Sequence, residues 1–448
     1  MTERPIRRLP VNTGTSGWEA ISTRAAPIRT LERPITADWL IIGAGFAGLS
    51  AARRLSQLLP DQTIVVLDAH EIAKGTAGRN SGFMIDVPHN LAAGDYSAAD
   101  DAATALEIAQ NRFAIAFAAD AAAEYAMSRE VFDPSGKINA AATPRGMTLN
   151  ESYARSLSRI GEAHQLLDDA EMRDITGSRY YRGGLRTPGA VLIQPADYIR
   201  SLAAGLGSRI DLFEHSPVVG LAREGGAWKA RTHKGAVVAP KVILGVNGHI
   251  VDFGHFSGRL LQIFTYASMT AAFPHEEGGP TASGAERWAL LPADPMGATV
   301  RKIASGGLFR IVIRTRFTCD QRLKVPDARV AGIAAEQRRS FDARFPGMAH
   351  VPFEFSWAGA LCLSRNHVPA FGEVEENLYS ACCENGLGTV KSTLAGIMAA
   401  DLATGASSKI LQDYRNQPPP SRLPPEPLTS LGASAVIRFQ ELRAGREG

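Results

Sequence analysis

Residues 39–48 read Trp-Leu-Ile-Ile-Gly-Ala-Gly-Phe-Ala-Gly, and this stretch decides the class of fold. The four apolar residues predict a short buried strand, and the glycines predict a tight turn after it. Apolar residues then recur with helical spacing over 49–59, and residues 63–67 predict a second strand that ends at Asp68. A strand, a helix and a strand within about 30 residues form a parallel β-α-β unit. The sequence therefore predicts an α/β fold.

The glycines of the turn have the spacing Gly-x-Gly-x-x-Gly, at Gly43, Gly45 and Gly48. In a β-α-β unit these positions allow a tight turn, close approach of backbone to a pyrophosphate, and close packing of helix on strand. The start of the helix directs free N–H groups and the positive end of its dipole at the phosphates. Asp68 can accept hydrogen bonds from two ribose hydroxyls. A dinucleotide-binding domain is predicted, with an ordinary glycine-rich turn as the weaker alternative.

Composition and charge are typical of a globular enzyme. The chain has 448 residues, of which 45% are hydrophobic and 21% charged, and this length favours two domains. Its 48 basic and 45 acidic residues give a net charge of +3, too small to indicate a nucleic-acid partner. No apolar run approaches the roughly 20 residues that cross a bilayer. With no secretory signal visible either, we expect a cytoplasmic location.

The cysteines indicate neither a disulfide framework nor a metal site. They are few for this length, and their spacing is not that of a metal site. We therefore expect free thiols in a reducing compartment and no bound metal. The four are Cys319, Cys362, Cys382 and Cys383.

The residues after the second strand indicate which dinucleotide binds. Residues 76–83, Thr-Ala-Gly-Arg-Asn-Ser-Gly-Phe, form a loop of mostly small residues that can reach along a diphosphate to a flavin ring. This loop resembles that of the D-amino-acid oxidase and glycine oxidase superfamily. Segments 214–218, 242–248 and 385–389 are also similar to that superfamily. The resemblance implies FAD, and it implies non-covalent binding because no Cys or His stands where some relatives attach flavin.

The resemblance also assigns roles to residues. Segment 214–218 would receive the adenine, and segment 385–389 would direct amide N–H groups at flavin O2 and N1, where negative charge collects on reduction. Arg79 would meet the diphosphate or the flavin. The predicted cofactor-binding residues are Gly43, Gly45, Phe46, Ala47, Gly48, Asp68, Ala77, Gly78, Arg79, Asn80, Ser81, Gly82, Val218, Asn247, Gly248, Gly386, Leu387, Gly388 and Thr389.

Within the superfamily the chain is most similar to gamma-glutamylputrescine oxidases and their relatives. The similarity covers nearly the whole chain, through an arm containing Trp18 and segments 78–82, 171–177, 180–184, 193–195, 357–359 and 369–372. It implies a Rossmann-like FAD-binding domain of the glutathione-reductase type, with a cap of mixed antiparallel sheet and helices over the substrate. We predict a discontinuous FAD-binding domain of residues 1–90, 190–255 and 350–448. The cap would comprise residues 91–189 and 256–349.

The implied reaction is oxidation of a C–N bond in a small amine or an amino or imino acid. Flavin N5 would accept a hydride from the carbon beside nitrogen, and the resulting imine would hydrolyse to an aldehyde or a keto acid. The resemblance sets Tyr266 and Trp357 near the flavin ring, and core packing is the alternative for both. The electron acceptor would be O2 or a respiratory carrier.

One position departs from the family pattern. In relatives that take simple α-amino acids, an arginine before the Pro-x-x-Gly turn pairs with the substrate carboxylate, and Leu361 stands at the matching position here. Glycine, sarcosine and D-alanine are therefore expected to be poor substrates, unless Arg310 or Arg314 supplies the charge from a predicted strand over 308–316.

Two other functions remain open at the level of sequence. The same superfamily includes enzymes that oxidise 2-hydroxy acids. The chain could instead be a flavin-bound subunit or scaffold for a partner, an idea favoured only by the Pro-rich segment 417–427. Elsewhere, apolar spacing predicts helices over 100–130, 151–172 and 389–403, and a strand over 378–382.

Overall fold

The computed structural model describes residues 3–23, 28–88, 100–274 and 284–448. Its first eleven strands are β1 Arg4–Pro5, β2 Ile35–Thr36, β3 Trp39–Ile42, β4 Ile64–Leu67, β5 Phe83–Met84, β6 Phe132–Asp133, β7 Lys137–Ala141, β8 Gln165–Leu167, β9 Gly183–Thr187, β10 Val191–Ile193 and β11 Asp211–Phe213. The next are β12 Gly220–Glu224, β13 Ala227–Arg231, β14 Ala236–Ala239, β15 Lys241–Leu244, β16 Leu260–Thr270, β17 Trp288–Pro292, β18 Thr299–Ser305, β19 Leu308–Cys319, β20 Phe353–Ser364, β21 Ala370–Glu375 and β22 Leu378–Cys382. The helices are α1 Gly17–Ala20, α2 Phe46–Leu58, α3 Asp101–Glu124, α4 Pro144–Arg159, α5 Asp169–Thr176, α6 Pro195–Leu206, α7 Asp327–Arg344, α8 Gly388–Thr404, α9 Lys409–Arg415 and α10 Leu428–Ala444.

A six-stranded sheet contains the predicted β-α-β unit. Its order is β11-β4-β3-β15-β22-β21, with only the edge strand β21 antiparallel to its neighbour. Every residue of β3 and β4 is buried, as is typical of parallel strands covered on both faces. Helices α2 and α8 pack closely on one face, because a Cβ on Gly396 would lie 2.1 Å from the Ala47 carbonyl oxygen. The Rossmann-like α/β prediction is confirmed.

A second sheet has eight strands in the order β20-β16-β19-β18-β17-β7-β9-β8. It is antiparallel except between β17 and β7. Helix α7 covers one face, where Phe341 packs among Ile311 and Ile313. The other face meets the six-stranded sheet's helices, because Val312 and Trp357 belong to the same core cluster as α2 and α8. This is the mixed sheet expected of a substrate cap.

Two smaller sheets complete the architecture. The five-stranded sheet β1-β12-β13-β14-β2 covers the remaining face of the six-stranded sheet, where Trp228 and Val237 pack with Leu40 and Val65. The three-stranded sheet β5-β10-β6 joins the end of the 76–83 loop to β10. The C-terminal end of the 76–83 loop is therefore held in a sheet.

The predicted domain boundaries remain a prediction. Two elements that it assigns to the FAD-binding domain pack with the eight-stranded sheet instead. Strand β20 is an edge strand of the eight-stranded sheet. Helix α10 packs on β19, where Glu441 accepts a hydrogen bond from the Phe317 amide and pairs with Arg316. Both elements lie in segment 350–448, which the sequence assigns to the FAD-binding domain.

The predicted helix over 151–172 is wrong. Thr143 caps α4, which starts earlier and ends before Gly161. Strand β8 follows, and Asp168 then begins α5 with a reciprocal capping box to Glu171. None of the helices within the described ranges is long and apolar enough to span a membrane.

Candidate active site

A cleft opens at the carboxyl ends of β3, β4 and β15 and extends to the eight-stranded sheet. Its wall includes the predicted residues Gly43, Gly45, Asp68, Ala77, Val218, Asn247 and Gly248. The N-terminal arm, residues 6 and 8–12, lines the same cleft, and so do Gln262, Ala360 and Leu361 of the eight-stranded sheet. One cavity thus touches both the glycine turn and the eight-stranded sheet.

The glycine turn has the geometry that its sequence predicts. Gly43 has φ +103°, and a Cβ there would lie 2.5 Å from the Gly245 carbonyl oxygen. A Cβ on Gly48 would lie 1.8 Å from the Gly43 carbonyl oxygen, so neither glycine can be replaced without displacing backbone. Gly45 instead has only Ala77 Cβ, at 3.6 Å, near the position a Cβ would take. This open side of Gly45 faces the cleft.

The N-terminus of α2 is available to an anion. Its N-cap Gly45 has no side chain to accept hydrogen bonds, which leaves the amides of Phe46, Ala47 and Gly48 without a side-chain cap. The Phe46 side chain is buried and stacks 5.7 Å from the Tyr198 ring. Phe46 can therefore face the cleft only through its backbone.

Asp68 is held in place by two backbone amides. The Ala44 amide donates to Oδ2 at 2.8 Å and the His70 amide donates to Oδ1 at 2.9 Å. Each ionised oxygen can accept a further hydrogen bond, such as one from a ribose hydroxyl. Burial raises the pKa of this carboxyl, and the two amides oppose that rise.

Unsatisfied polar atoms beside the cleft fit a polar ligand. Asn247 Oδ1 and Gln262 Oε1 are shielded from solvent and have no hydrogen-bond partner in the described structure. Leaving such groups unpaired costs about 1–3 kcal/mol each, so a bound group that donates to them would be favoured. Together with the open Gly45 and the amides of α2, these residues fit FAD.

Arg79 does not reach the cleft, which corrects its predicted contact with the diphosphate or flavin. The guanidinium is buried and donates to the carbonyl oxygens of Lys74 at 2.9 Å, Thr13 at 3.0 Å, Ala358 at 2.9 Å and Gly14 at 2.6 Å. Burial lowers its pKa to about 10. Arg79 therefore joins the N-terminal arm and β20 to its own loop, and it acts by positioning them.

Hydrogen bonds to backbone groups hold the remaining loop residues in place. The Asn80 amide group donates to the Ala77 carbonyl oxygen, and Asn80 Oδ1 accepts from the Gly82 amide. The carbonyl oxygens of Ser81 and Gly82 both accept hydrogen bonds from Arg301 Nη1. A Cβ on Gly78 would lie 1.8 Å from the Ala73 carbonyl oxygen. The loop is thus fixed on the face of the eight-stranded sheet.

The turn before α8 is tied to the same loop. Gly386 has φ +89°, and α8 begins at Gly388 without a side-chain cap. The Thr389 hydroxyl donates to the Phe83 carbonyl oxygen at the end of the loop. Leu387 packs against a cluster that contains Phe83 and Leu291. The uncapped amides of α8 and the 76–83 loop therefore border one region of the sheet.

Tyr266 lies on the wrong face for the predicted flavin contact. It packs with Val330 and Ile333 of α7, and its hydroxyl shares a 2.7 Å hydrogen bond with the Thr318 hydroxyl. Successive residues of a strand point to opposite faces, so Thr265 and Ala267, not Tyr266, face the helices of the six-stranded sheet. Burial raises the Tyr266 pKa. Tyr266 therefore packs in the hydrophobic core, which is the alternative given for it above.

Trp357 is on the cofactor-side face but is fully buried. Its exposed fraction is 1%, and its indole N–H donates to the Arg79 carbonyl oxygen at 3.0 Å. It supports the 76–83 loop from beneath. Trp357 is therefore a positioning residue in this geometry, without contact to the cleft.

Glu384 contacts Asn247 of the cleft wall and was not among the residues predicted from the sequence. Asn247 Nδ2 donates to its Oε1 at 2.7 Å, and burial raises its pKa to about 7. Asn247 and Glu384 follow the neighbouring parallel strands β15 and β22, whose carboxyl ends meet at one edge of the sheet. That adjacency is the signal that could have found Glu384. Within the described ranges, no group of three or more His, Cys, Asp or Glu side chains could hold a metal ion.

Comparison with known proteins identifies relatives along most of the chain. It is 26% identical over 445 residues to gamma-glutamylputrescine oxidoreductase of Escherichia coli, covering 94% of this chain and 96% of the relative. It is 25% identical over 401 residues to a probable oxidoreductase, OrdL, of Haemophilus influenzae, covering 84% of each.

Solved structures share the fold. Glycine oxidase from Geobacillus kaustophilus superposes with a TM-score of 0.68 and 16% identity, over 87% of this chain and 100% of that chain. Iminodiacetate oxidase from Chelativorans superposes with a TM-score of 0.64 and 17% identity, over 86% of this chain and 100% of that chain. The sequence profile described as DAO, FAD dependent oxidoreductase, matches residues 38–402. This chain belongs to the DAO family of FAD-dependent oxidoreductases.

Proposed function

We propose that the chain oxidises the C–N bond of a small amine, or of an amino or imino acid, to an imine that hydrolyses to an aldehyde or a keto acid. The observation that carries the proposal is that one cleft connects the two large sheets. Its wall includes Asp68, which follows β4 of the six-stranded sheet, and Leu361 of the eight-stranded sheet. A dinucleotide extended along that cleft would bring its reactive end to the substrate-side sheet. Relatives named as glycine oxidase, iminodiacetate oxidase and gamma-glutamylputrescine oxidoreductase support a substrate containing nitrogen.

Residues of the six-stranded sheet would hold the cofactor. The first-turn amides of α2 would bind the pyrophosphate, and Asp68 would bind the ribose hydroxyls. Val218 lies in the wall of the same cleft, where the adenine would bind. When bound, FAD supplies acceptance at N5 of a hydride from the carbon beside the substrate nitrogen.

Three features of the chain would favour the reaction. The uncapped N-terminus of α8 directs the positive end of a helix dipole at the proposed position of flavin O2 and N1, where negative charge develops. Glu384 can hold a proton beside the cleft at neutral pH, because burial brings its pKa to about 7. The apolar wall at Ala360 and Leu361 would exclude water from the reacting atoms.

The remaining alternatives are separated by the products. The Pro-rich segment does not favour a scaffold, because it packs on its own chain: Arg259 donates to the Pro420 carbonyl oxygen and Asn366 to that of Pro419. The cytoplasmic location, the non-covalent attachment and the choice between O2 and a respiratory carrier stay predictions.

Product analysis tests the proposal. Holoenzyme incubated with a panel of amines, amino acids and 2-hydroxy acids should release a carbonyl compound together with ammonia or a primary amine, in equal amounts. A keto acid formed only from 2-hydroxy acids, with no nitrogen product, would favour the 2-hydroxy-acid alternative. Turnover of none of these compounds, with a protein partner that copurifies, would favour the non-catalytic subunit.

A further inference from the structure

Three arginines of β19 differ in how their charges are balanced. Arg310 pairs with Glu354, and Arg316 pairs with Glu336 and Glu441, each at 2.6 Å. Arg314 has no carboxylate partner among the residues that the structure describes. An uncompensated guanidinium on a shielded sheet face is costly, so it points to an anion supplied from elsewhere.

The Arg314 guanidinium has a hydrogen-bond donor, Nη1, without an acceptor in the described structure. Its Nη2 donates to the Thr299 hydroxyl at 2.6 Å, and its guanidinium lies 5.0 Å from the centre of the Phe317 ring. Its Nη1 is shielded from solvent and has no hydrogen-bond partner in the described structure. Burial lowers its pKa to about 10, so it is still cationic at neutral pH.

Strand register places Arg314 in the proposed reaction region. It pairs with Ala267 on one side and with Thr299 on the other, two residues from Val312 on the cofactor-side face. On one side of this row, Trp357 pairs with Ala267 and lies beneath the 76–83 loop. On the other side, β17 contributes Leu291 to the cluster against which Leu387, in the turn before α8, packs. Arg314 thus lies between the two elements that would hold the flavin.

We propose that Arg314 binds the carboxylate of the substrate, so that the substrate class is an amine that also carries a carboxylate. This inference rests on the proposed function. A carboxylate would accept hydrogen bonds from Nη1 and compensate the charge, and planar guanidinium groups pair well with carboxylates.

The proposed anion site differs from the position known in relatives of the α-amino-acid type. Leu361, which matches the relatives' arginine, pairs with Ile263 of β16, whereas Arg314 pairs with Ala267. Four residues along a strand span about 13 Å. This chain lacks an arginine at the position of Leu361 and has an unpaired one at position 314. The charged end of the substrate would therefore bind farther along the sheet.

Ligand binding to the holoenzyme tests the inference without turnover. Propionate and its neutral amide, propionamide, are titrated against the flavin absorption spectrum of the wild type, Arg314→Met and Arg314→Lys. Arg310→Met is the matched control, since Arg310 lies four residues away on the same face of β19 but pairs with Glu354. We expect Arg314→Met to weaken propionate binding at least about tenfold, with propionamide unchanged and Arg314→Lys intermediate. Equal propionate affinity in the wild type and Arg314→Met, or equal weakening in Arg310→Met, overturns it.

Steady-state kinetics separate this inference from the proposed function. For an amino acid and the amine that lacks its carboxylate, Arg314→Met should raise KM only for the amino acid. Unchanged KM for both, with the amines still oxidised, rejects the role of Arg314 and leaves the proposed function intact. Selective loss of propionate binding, in an enzyme that oxidises no amine, retains the anion site and rejects the proposed function.

Discussion

Asp68 lies in the wall of the cleft, and its proposed role is to bind the ribose hydroxyls of the cofactor. We predict that Asp68→Ala weakens FAD binding about a hundredfold, because two charge-assisted hydrogen bonds are worth roughly 3 kcal/mol together. Substrate preference should not change. FAD content after dialysis measures the effect, and Asp68→Asn is the conservative variant, which keeps one acceptor oxygen and so can satisfy only one of the Ala44 and His70 amides. Full retention of FAD by the alanine variant would remove Asp68 from the site.

Glu384 makes the free energy of unfolding depend on pH, whereas a glutamine at this position would not. Its pKa is about 7 in the folded chain against an ordinary value of 4.5, so the folded state prefers the protonated form. The stabilisation from this group is present below about pH 4.5 and is lost as the pH rises to about 7. Glu384→Gln should therefore be more stable than wild type at pH 8, by at most about 3 kcal/mol, and equal to it near pH 4.5.

Denaturant unfolding at several pH values checks this prediction. The exposed Glu151→Gln serves as the control and should show no such trend. A stability difference between wild type and Glu384→Gln that stays constant from pH 4.5 to pH 8 would contradict a raised pKa at this position.

Single residues were predictable where local geometry alone determines their role. Gly43 and Gly48 follow from the motif, since any Cβ there would overlap backbone. The roles of Tyr266 and Arg79 were not predictable in this way. That of Tyr266 depends on which sheet face α7 covers, and that of Arg79 depends on carbonyl groups distant in sequence. A shift of one residue along a strand reverses the face, and the sequence of β16 does not reveal which face meets the cofactor.

The 76–83 loop depends on a clamp that crosses three elements. Arg79 joins Thr13 and Gly14 of the N-terminal arm to Ala358 of β20. We predict that Arg79→Met lowers the free energy of unfolding by about 3 kcal/mol or more, because buried carbonyl groups lose charged donors. Limited proteolysis should then cut the N-terminal arm faster. Arg79→Lys, which retains the charge but not the planar fork, should recover only part of the stability.

Stability like that of wild type in Arg79→Met, with an equally resistant arm, would contradict the clamp. If Arg79 instead contacted FAD, the variant would lose cofactor while its apoprotein kept the stability of the wild-type apoprotein. Measuring unfolding of both apoproteins distinguishes these two results.

Elements with strong local signals were predicted well. Strand β22 has the predicted bounds, and α8 begins one residue before and ends one residue after the predicted helix, with Gly405 in the left-handed conformation. The 151–172 prediction failed because α4 ends before Gly161, which has a positive φ, and β8 separates it from α5, whose start the Asp168 capping box marks.

At the scale of the molecule, the six-stranded sheet is assembled from distant segments. Its central strand β15 and the later strand β22 both follow the first 190 residues. A fragment of residues 1–190 would expose the apolar edge of β3 and lack Asn247. We predict that this fragment is insoluble or unfolded and does not retain FAD, as measured by circular dichroism and absorption. A folded fragment that binds FAD would contradict the discontinuous FAD-binding domain.

Anaerobic reduction of the purified protein shows whether this FAD-dependent oxidoreductase acts on a C–N bond. The protein should be yellow, with FAD released on acid denaturation. Without oxygen, at least one amine or amino acid of a mixed panel should bleach the visible flavin band, while 2-hydroxy acids of similar size should not. A flavin band that responds to 2-hydroxy acids and to no compound with a C–N bond would contradict the account.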